Sequence, residues 1–536
     1  MRSTKATPTD SGNAQRWEAS FHGGASHGRS IVEVTLFAAA SALALAAAGA
    51  PASAQSMNMP GMAMPAKKAP AKKAASKKAV GKKKTGTRAS TKKAAAAPTV
   101  HKTAPAATSP MEGMSMPMSA PPGASGSSAM PMDQSQMGGM AMPMGHQGGH
   151  PMTMAGALGS YPMQRDSSGT SWQPDSSRHM GLMTMSGDWM LMAHGDVNLV
   201  YDHQSGPRGD HKAFVSGMLM GMAQHPLGNG TVQFKAMLSP DPLMGPRGYP
   251  LLLASGETAN GRDRLIDRQH PHDLFMELAG SASQDIGRGS SVFIYAGLPG
   301  EPAFGPPAFM HRESIMDSPE APITHHWLDS THISFGVVTA GLVLDRMKIE
   351  ASRFNGREPD QHRWNIETGP LDSTAIRVSW NPTRTLALQE SWGHFVDPEQ
   401  LEPGVDQKRW SASALWADDV APGWHAAATL AWGRKSAHGH GDDGVALEGS
   451  LNHAQWTLFA RGEMTENREL LNVEDGPAFR VGKVSLGAVR DVRIASHWSL
   501  GAGGLFSANF VPDALAPLYG GHNPTGAMAF LRLKLD

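Results

Sequence analysis

The 536-residue chain carries 47 basic and 47 acidic side chains, 34 methionines and no cysteine. Without cysteine it is neither a disulfide scaffold nor a thiolate metal site, and past residue 50 no run of 18 apolar residues offers a spanning helix. The zero net charge conceals a division: residues 55–111 hold twelve lysines, Arg88 and no acid, whereas the residues after Asp133 hold 30 basic against 42 acidic groups.

Residues 31–50 (IVEVTLFAAASALALAAAGA), preceded by Arg29 and followed by Ala52-Ser53-Ala54, read as a secretory signal peptide, so 1–54 is expected to be removed before Gln55. Residues 55–178 form a leader. Half of the methionines lie between Met57 and Met163, in phrases such as MNMPGMAMP and MPMDQSQMGGMAMPMGHQGGHPMTM, interleaved with Lys/Ala/Pro tracts. Such composition cannot bury enough surface to offset chain entropy, so disorder is expected. Thioether sulfur is a soft donor that favours Cu(I) and Ag(I), and it cannot be lost to disulfides in an oxidising compartment. The lysine tract suits lipopolysaccharide phosphates or cell wall polymer. Nucleic acid is not an expected partner of a chain exported before folding.

From residue 187 on, apolar side chains alternate with small or polar ones at period two, the pattern of strands with one apolar face. Trp189, Leu191, Ala193, Val197, Leu199 and Tyr201 share a face of the first run. Others are TVQFKAMLS (231–239), AIRVSW (375–380), WSASALW (410–416), WHAAATLAW (424–432), AQWTLFARG (454–462) and AMAFLRLKL (527–535). About 16 runs occur, many close to the roughly 9 to 11 residues with which a tilted strand crosses a bilayer.

Short connections (HPLGNG, DIGRG, VLDRM, NPTR, DDVAPG, NHA, DVRIAS) alternate with longer ones near 203–212, 240–271, 299–330, 356–373, 396–408, 434–443, 466–479 and 509–525. Outer-membrane barrels have this asymmetry, with short turns in the periplasm and long loops outside. Trp189, Trp380, Trp410, Trp416, Trp424, Trp432 and Trp498 stand near run ends, as interfacial girdles require. Residues 179–536 are therefore expected to form an all-β, antiparallel transmembrane β-barrel of about 16 strands in a Gram-negative outer membrane, contacting lipid outside, with the leader in the periplasm.

If the Trp189 stripe faces lipid, Met190, Met192, His194, Asp196 and Asn198 face the lumen. In AFVSGMLMGMAQ the same parity turns Met218, Met220 and Met222 inward. Folding the hairpin about residue 207 sets Met192 opposite Met222, His194 opposite Met220 and Asp196 opposite Met218, about 4.5 to 5.5 Å apart at Cβ. Met180, Met183 and Met185, in HMGLMTM, extend the set toward the periplasmic mouth. The second long loop adds His270 and His272 beside Asp273, and the third holds His311, Met316, Asp317, His325, His326, Asp329 and His332. His438-Gly439-His440-Gly441-Asp442-Asp443 is a further loop candidate. Thioethers and imidazoles of this kind suit a copper ion. With no nucleophile elbow, phosphate loop, dinucleotide fingerprint or HExxH helix, no enzyme and no catalytic residue is expected.

A signal peptide, a Met-rich leader containing MGHQGGHPMTM and a following β-barrel together resemble the copper-resistance protein B family of outer-membrane proteins. The stretches RQHPHDLFMEL, SPEAPITHHWLDSTHISFG and KIEASRFNGREPDQHRW look like those of an uncharacterised exported family found beside metal-efflux systems. The resemblance implies copper handling at the outer membrane, with binding, sequestration or transfer of Cu(I) or Ag(I) contributing to metal resistance. The contrasting expectation is a general porin or structural barrel whose basic leader holds the cell wall and which has no specific metal role.

Overall fold

The computed structural model describes residues 155–178, 181–471, 473 and 476–536; the expected signal peptide, most of the leader and Met180 lie outside them. Nineteen strands occur among the described residues: β1 (Leu182–Ser186), β2 (Trp189–Gln204), β3 (His211–Leu227), β4 (Gly230–Leu238), β5 (Tyr249–Thr258), β6 (Arg264–Gln269), β7 (Phe275–Gly287), β8 (Ser290–Gly297), β9 (Val337–Leu344), β10 (Met347–Phe354), β11 (Ser373–Thr383), β12 (Leu386–Phe395), β13 (Gln407–Ala421), β14 (Trp424–Ala437), β15 (His440–His453), β16 (Trp456–Asn467), β17 (Phe479–Ala495), β18 (Trp498–Phe510) and β19 (Thr525–Leu535). β2 to β4 and β7 to β19 pair in chain order, all antiparallel, and β19 returns to β2 with Gly526 opposite Gln204 and Leu535 opposite Gly195. The result is a closed 16-stranded barrel. Closure satisfies every ladder hydrogen bond internally, which a backbone crossing hydrocarbon requires.

Period-two alternation sorts the side chains. Leu199, Phe234, Ile294, Leu430, Leu486 and Leu531 are exposed on the outer wall, while Asn198, Glu350, Arg377, Glu448, Arg461 and Lys483 are buried on the inner one. Trp380, Trp424, Trp456 and Trp498 project outward close to the tight-turn rim, and Trp410 and Trp432 stand nearer the other. An apolar belt between two tryptophan rings is the exterior of a bilayer-spanning barrel, and it places this chain in an outer membrane. β2 begins and β19 ends at the tight-turn rim.

Several strands outrun their hydropathy signal: β13 has 15 residues and β14 has 14. Beyond the bilayer the outward positions turn polar, so alternation fades while the ladder continues. For the same reason the expected long connection at 434–443 is a tight turn between β14 and β15 on His438 (φ 52°) and Gly439 (φ 81°), the left-handed pair that a two-residue hairpin favours. His440 and its neighbours are therefore strand, not a flexible loop.

The lumen is packed with chain. Residues 155–178, grouped with the leader by composition, run along the inner wall at the tight-turn end. Ser283 Oγ donates to the Ala157 carbonyl (2.9 Å), Lys235 to that of Gly169 (2.9 Å), Asn381 to that of Gln173 (2.8 Å), and Ser176 Oγ to that of Ala417 (2.6 Å). Trp172 lies between Arg165 and Lys348, with 4.8 and 5.0 Å from ring centroid to cation.

Two long loops also fold inward. The β5–β6 hairpin stacks Tyr249 on Phe214 of β3 (4.5 Å between ring centroids) and buries Leu251, Leu252 and Leu253. The β8–β9 loop crosses the lumen. It touches β12 where Gly305 N donates to Ser391 Oγ (2.9 Å), β16 where Thr324 Oγ1 donates to Glu463 (2.8 Å), and β19 where Arg532 pairs with Asp317 (2.7 Å). Its Glu320 receives Lys483, Ser485 and Arg461 from the wall.

This loop carries a short helix, α1 (His325–Leu328), which seats on Gly433 and Gly444, opposed residues of β14 and β15. A Cβ at Gly433 would stand 2.1 Å from the Trp327 carbonyl oxygen. Gly433→Ala should therefore push α1 off the wall at an overpacking cost of about 1 to 3 kcal/mol. Faster limited proteolysis of the loop would show it; unchanged cleavage would mean that the wall yields instead.

Candidate functional site

The β2–β3 hairpin has the register expected from its sequence: Met192 faces Met222, His194 faces Met220 and Asp196 faces Met218. Glycine and leucine at 217, 219 and 221 take the outer face, so the three β3 methionines turn inward. The row continues to β4, where Met237 stands opposite Met220. β1 lies beside the start of β2, past the end of β19, with Met183 opposite Met192 and Met185 opposite Met190. These two thioethers share the luminal face of the ladder but stay exposed, at the tight-turn mouth.

Inside, the thioethers form two buried groups. Met163, Met190, Met192 and Met222 pack together, and so do Met218, Met237 and Met276 with Ile333 and Phe335; Met220 touches both groups, and Met310 joins the second. Imidazoles meet this wall. His311 Nε2 is 3.4 Å from Met237 Sδ, and the His194 and His311 rings lie 6.2 Å apart. Burial, with His194 and Lys235 beside it, pushes the His311 pKa down to about 3. Its ring is neutral at physiological pH and keeps a lone pair, so His194, Met220, Met237 and His311 offer two nitrogen and two sulfur donors within one patch.

A second cluster forms where the two infolded loops meet. His270 and His272 follow β6, His325 and His326 lie in α1, and His332 lies in the turn after it. His272 is 5.1 Å from His332 and His325 is 5.2 Å from His332, between ring centroids. The Nδ1 atoms are engaged: His272 with Asp241 (2.9 Å), His325 with Asp329 (2.8 Å), His326 with Glu358 (3.2 Å) and His332 with the Asp329 carbonyl (2.8 Å). Burial lowers the pKa of His270, His325 and His332, helped by Arg363 at His270 and by neighbouring imidazoles at all three. At His326 burial also opposes the charge, but Glu358 outweighs it and raises the pKa.

Of the residues singled out from sequence, Met190, Met192, His194, Met218, Met220 and Met222 thus share one luminal wall, with Met183 and Met185 at its mouth. His270, His272, His325 and His326 share the loop cluster, and His438 stands apart. Met163, Met237, Met276 and Met310 were missed. Strand parity could have found Met237: Phe234 and Leu238 point outward, which turns residue 237 inward. His311 and His332 are visible as loop histidines, but nothing in their spacing distinguishes them from the others.

No protein-family model matches the chain, and no curated protein matches it. Among solved structures it is similar to outer-membrane expressed OmpT of Vibrio cholerae (8% identity, 66% of this chain and 100% of that one, TM-score 0.38). It is also similar to an anion-selective porin from Comamonas acidovorans (12% identity, 65% and 100%, TM-score 0.38) and to Salmonella typhi OmpF in complex with daunomycin (10% identity, 66% and 100%, TM-score 0.41).

Proposed function

We infer that this outer-membrane barrel binds Cu(I) or Ag(I) through luminal thioether and imidazole donors, and that it sequesters or transfers the ion as a contribution to metal resistance rather than acting as an enzyme. The observation that carries this reading is the continuous thioether face from Met183 and Met185 at the mouth, through Met190, Met192 and Met222, to Met220, Met237 and His311. Apolar packing alone does not call for thioethers at successive inward positions of adjacent strands with imidazoles set among them. Soft donors in this number favour monovalent coinage ions. The exposed pair stands at the tight-turn mouth, where an arriving ion would first meet the thioether face.

The test is Ag(I) titration of full-length protein in detergent with ¹³C-labelled methionine methyl groups, assigned by single Met→Leu variants. Micromolar Ag(I) should shift the Met220 and Met237 resonances together. Should only leader methyl groups respond, the lumen is a packed wall and the ion reading fails there.

A further inference from the structure

Three imidazoles from two loops converge in the lumen in an arrangement that needs a different ion. His272, His325 and His332 each offer a ligand atom, and these atoms all lie within 4.8 Å of one another. The three residues are 8%, 1% and 4% exposed. Their tautomers follow from their partners. The carbonyl of Asp329 can only accept, so His332 Nδ1 carries the proton, and the carboxylates of Asp241 and Asp329 fix the same choice at His272 and His325. In the neutral ring the lone pair then sits on Nε2, and none of the three Nε2 atoms has a hydrogen-bond partner in the protein.

Three buried imidazoles whose ligand atoms come within 4.8 Å of one another can hold a cation between them, and their Nε2 atoms are the ones left without a protein partner. Ligating histidines are held in this way, with the second nitrogen donating to a carboxylate or a carbonyl. We propose that His272, His325 and His332 bind one divalent cation of the Zn(II) class through Nε2. No thioether belongs to this set, and three neutral imidazoles suit Zn(II), Cu(II) or Ni(II) rather than Cu(I). A three-histidine site leaves a fourth position open; His270 lies 5.8 Å from His325 between ring centroids, but its Nε2 already faces Glu257 Oε1 at 3.3 Å.

The ion joins the loop after β6 to the β8–β9 loop, so it acts as a staple across the chain that fills the barrel. This site is independent of the monovalent-ion reading, since it shares no donor with the thioether wall.

The experiment strips full-length protein in detergent with a chelator, then titrates Zn(II) against a competing indicator and follows hydrogen exchange across residues 299–335. One equivalent should bind at micromolar or lower concentration and slow exchange in that loop. His332→Asn keeps a donor for the Asp329 carbonyl but removes Nε2. It should abolish this binding while migration of the folded barrel on gels is unchanged. Asp241→Asn, which frees the His272 ring to turn, should weaken binding about 10- to 100-fold, and His362→Asn, on an exposed loop, should change nothing. A Met220→Leu/Met237→Leu protein should bind Zn(II) as wild type does. Wild-type Zn(II) affinity in His332→Asn, or no retained equivalent in the unaltered protein, overturns the proposal.

Discussion

Replacing Arg312 with alanine is expected to release the β8–β9 loop from the barrel wall and raise ion conductance through the lumen. The guanidinium is fully buried and donates twice to Glu448 of β15, at 2.8 and 2.7 Å, once to Asp329 of its own loop and once to the Pro307 carbonyl at 2.9 Å. Burial works to neutralise Asp329, but Arg312 and His325 hold its pKa below the ordinary carboxylate value. Removing one member of a buried ion set strands the rest, at a cost of about 3 to 5 kcal/mol. Here two carboxylates are stranded together. The strand ladder is untouched, so the barrel should still migrate as folded on gels while exchange across 299–335 accelerates and planar-bilayer conductance increases. Arg312→Ala combined with Glu448→Gln should recover part of the protection, because one fewer charge is left unpaired. Wild-type exchange in the single variant would mean that something other than this ion set holds the loop.

The same residues explain what could and could not be read from the chain. The β2–β3 hairpin was legible because glycine and leucine alternate with methionine through it. One apolar face fixes parity, and a slip by one residue would turn every methionine to lipid. Strand number and the tight-turn rim were legible for the same local reason. The loop cluster was not. His272 and His332 are 60 positions apart, and their approach depends on two loops turning into the lumen. That turn rests on wall charges such as Lys483, Arg461 and Glu448 finding Glu320 and Arg312, and in sequence these look like ordinary strand and loop charges. The inner segment at 155–178 did leave a trace: Tyr161 and Trp172 are aromatic residues in a stretch otherwise composed like the leader. Both are buried in the structure, and large rings inside a polar, glycine-containing segment mark a place that docks.

Exchanging Met220 and Met237 for leucine should remove luminal Ag(I) or Cu(I) binding with little loss of fold. The swap nearly conserves volume and costs less than about 1.5 kcal/mol in a packed interior. Leucine offers no lone pair. If the two sulfurs ligate with His194 and His311, monovalent-ion affinity in the lumen should fall about 100-fold or more, about 2.7 kcal/mol. Ligands of one ion act as a unit, so Met220→Leu and His311→Asn should be non-additive: once either donor is gone, losing the other costs less. Side chains that only pack would couple in the unfolding midpoint and leave ion affinity untouched, so stability and affinity measured on one set of variants separate the two roles. Met220→His sharpens the separation, because a borderline imidazole in place of a soft thioether should move preference from Ag(I) toward Cu(II). Packing can make a site tighter or looser, but it cannot reverse which ion the site prefers.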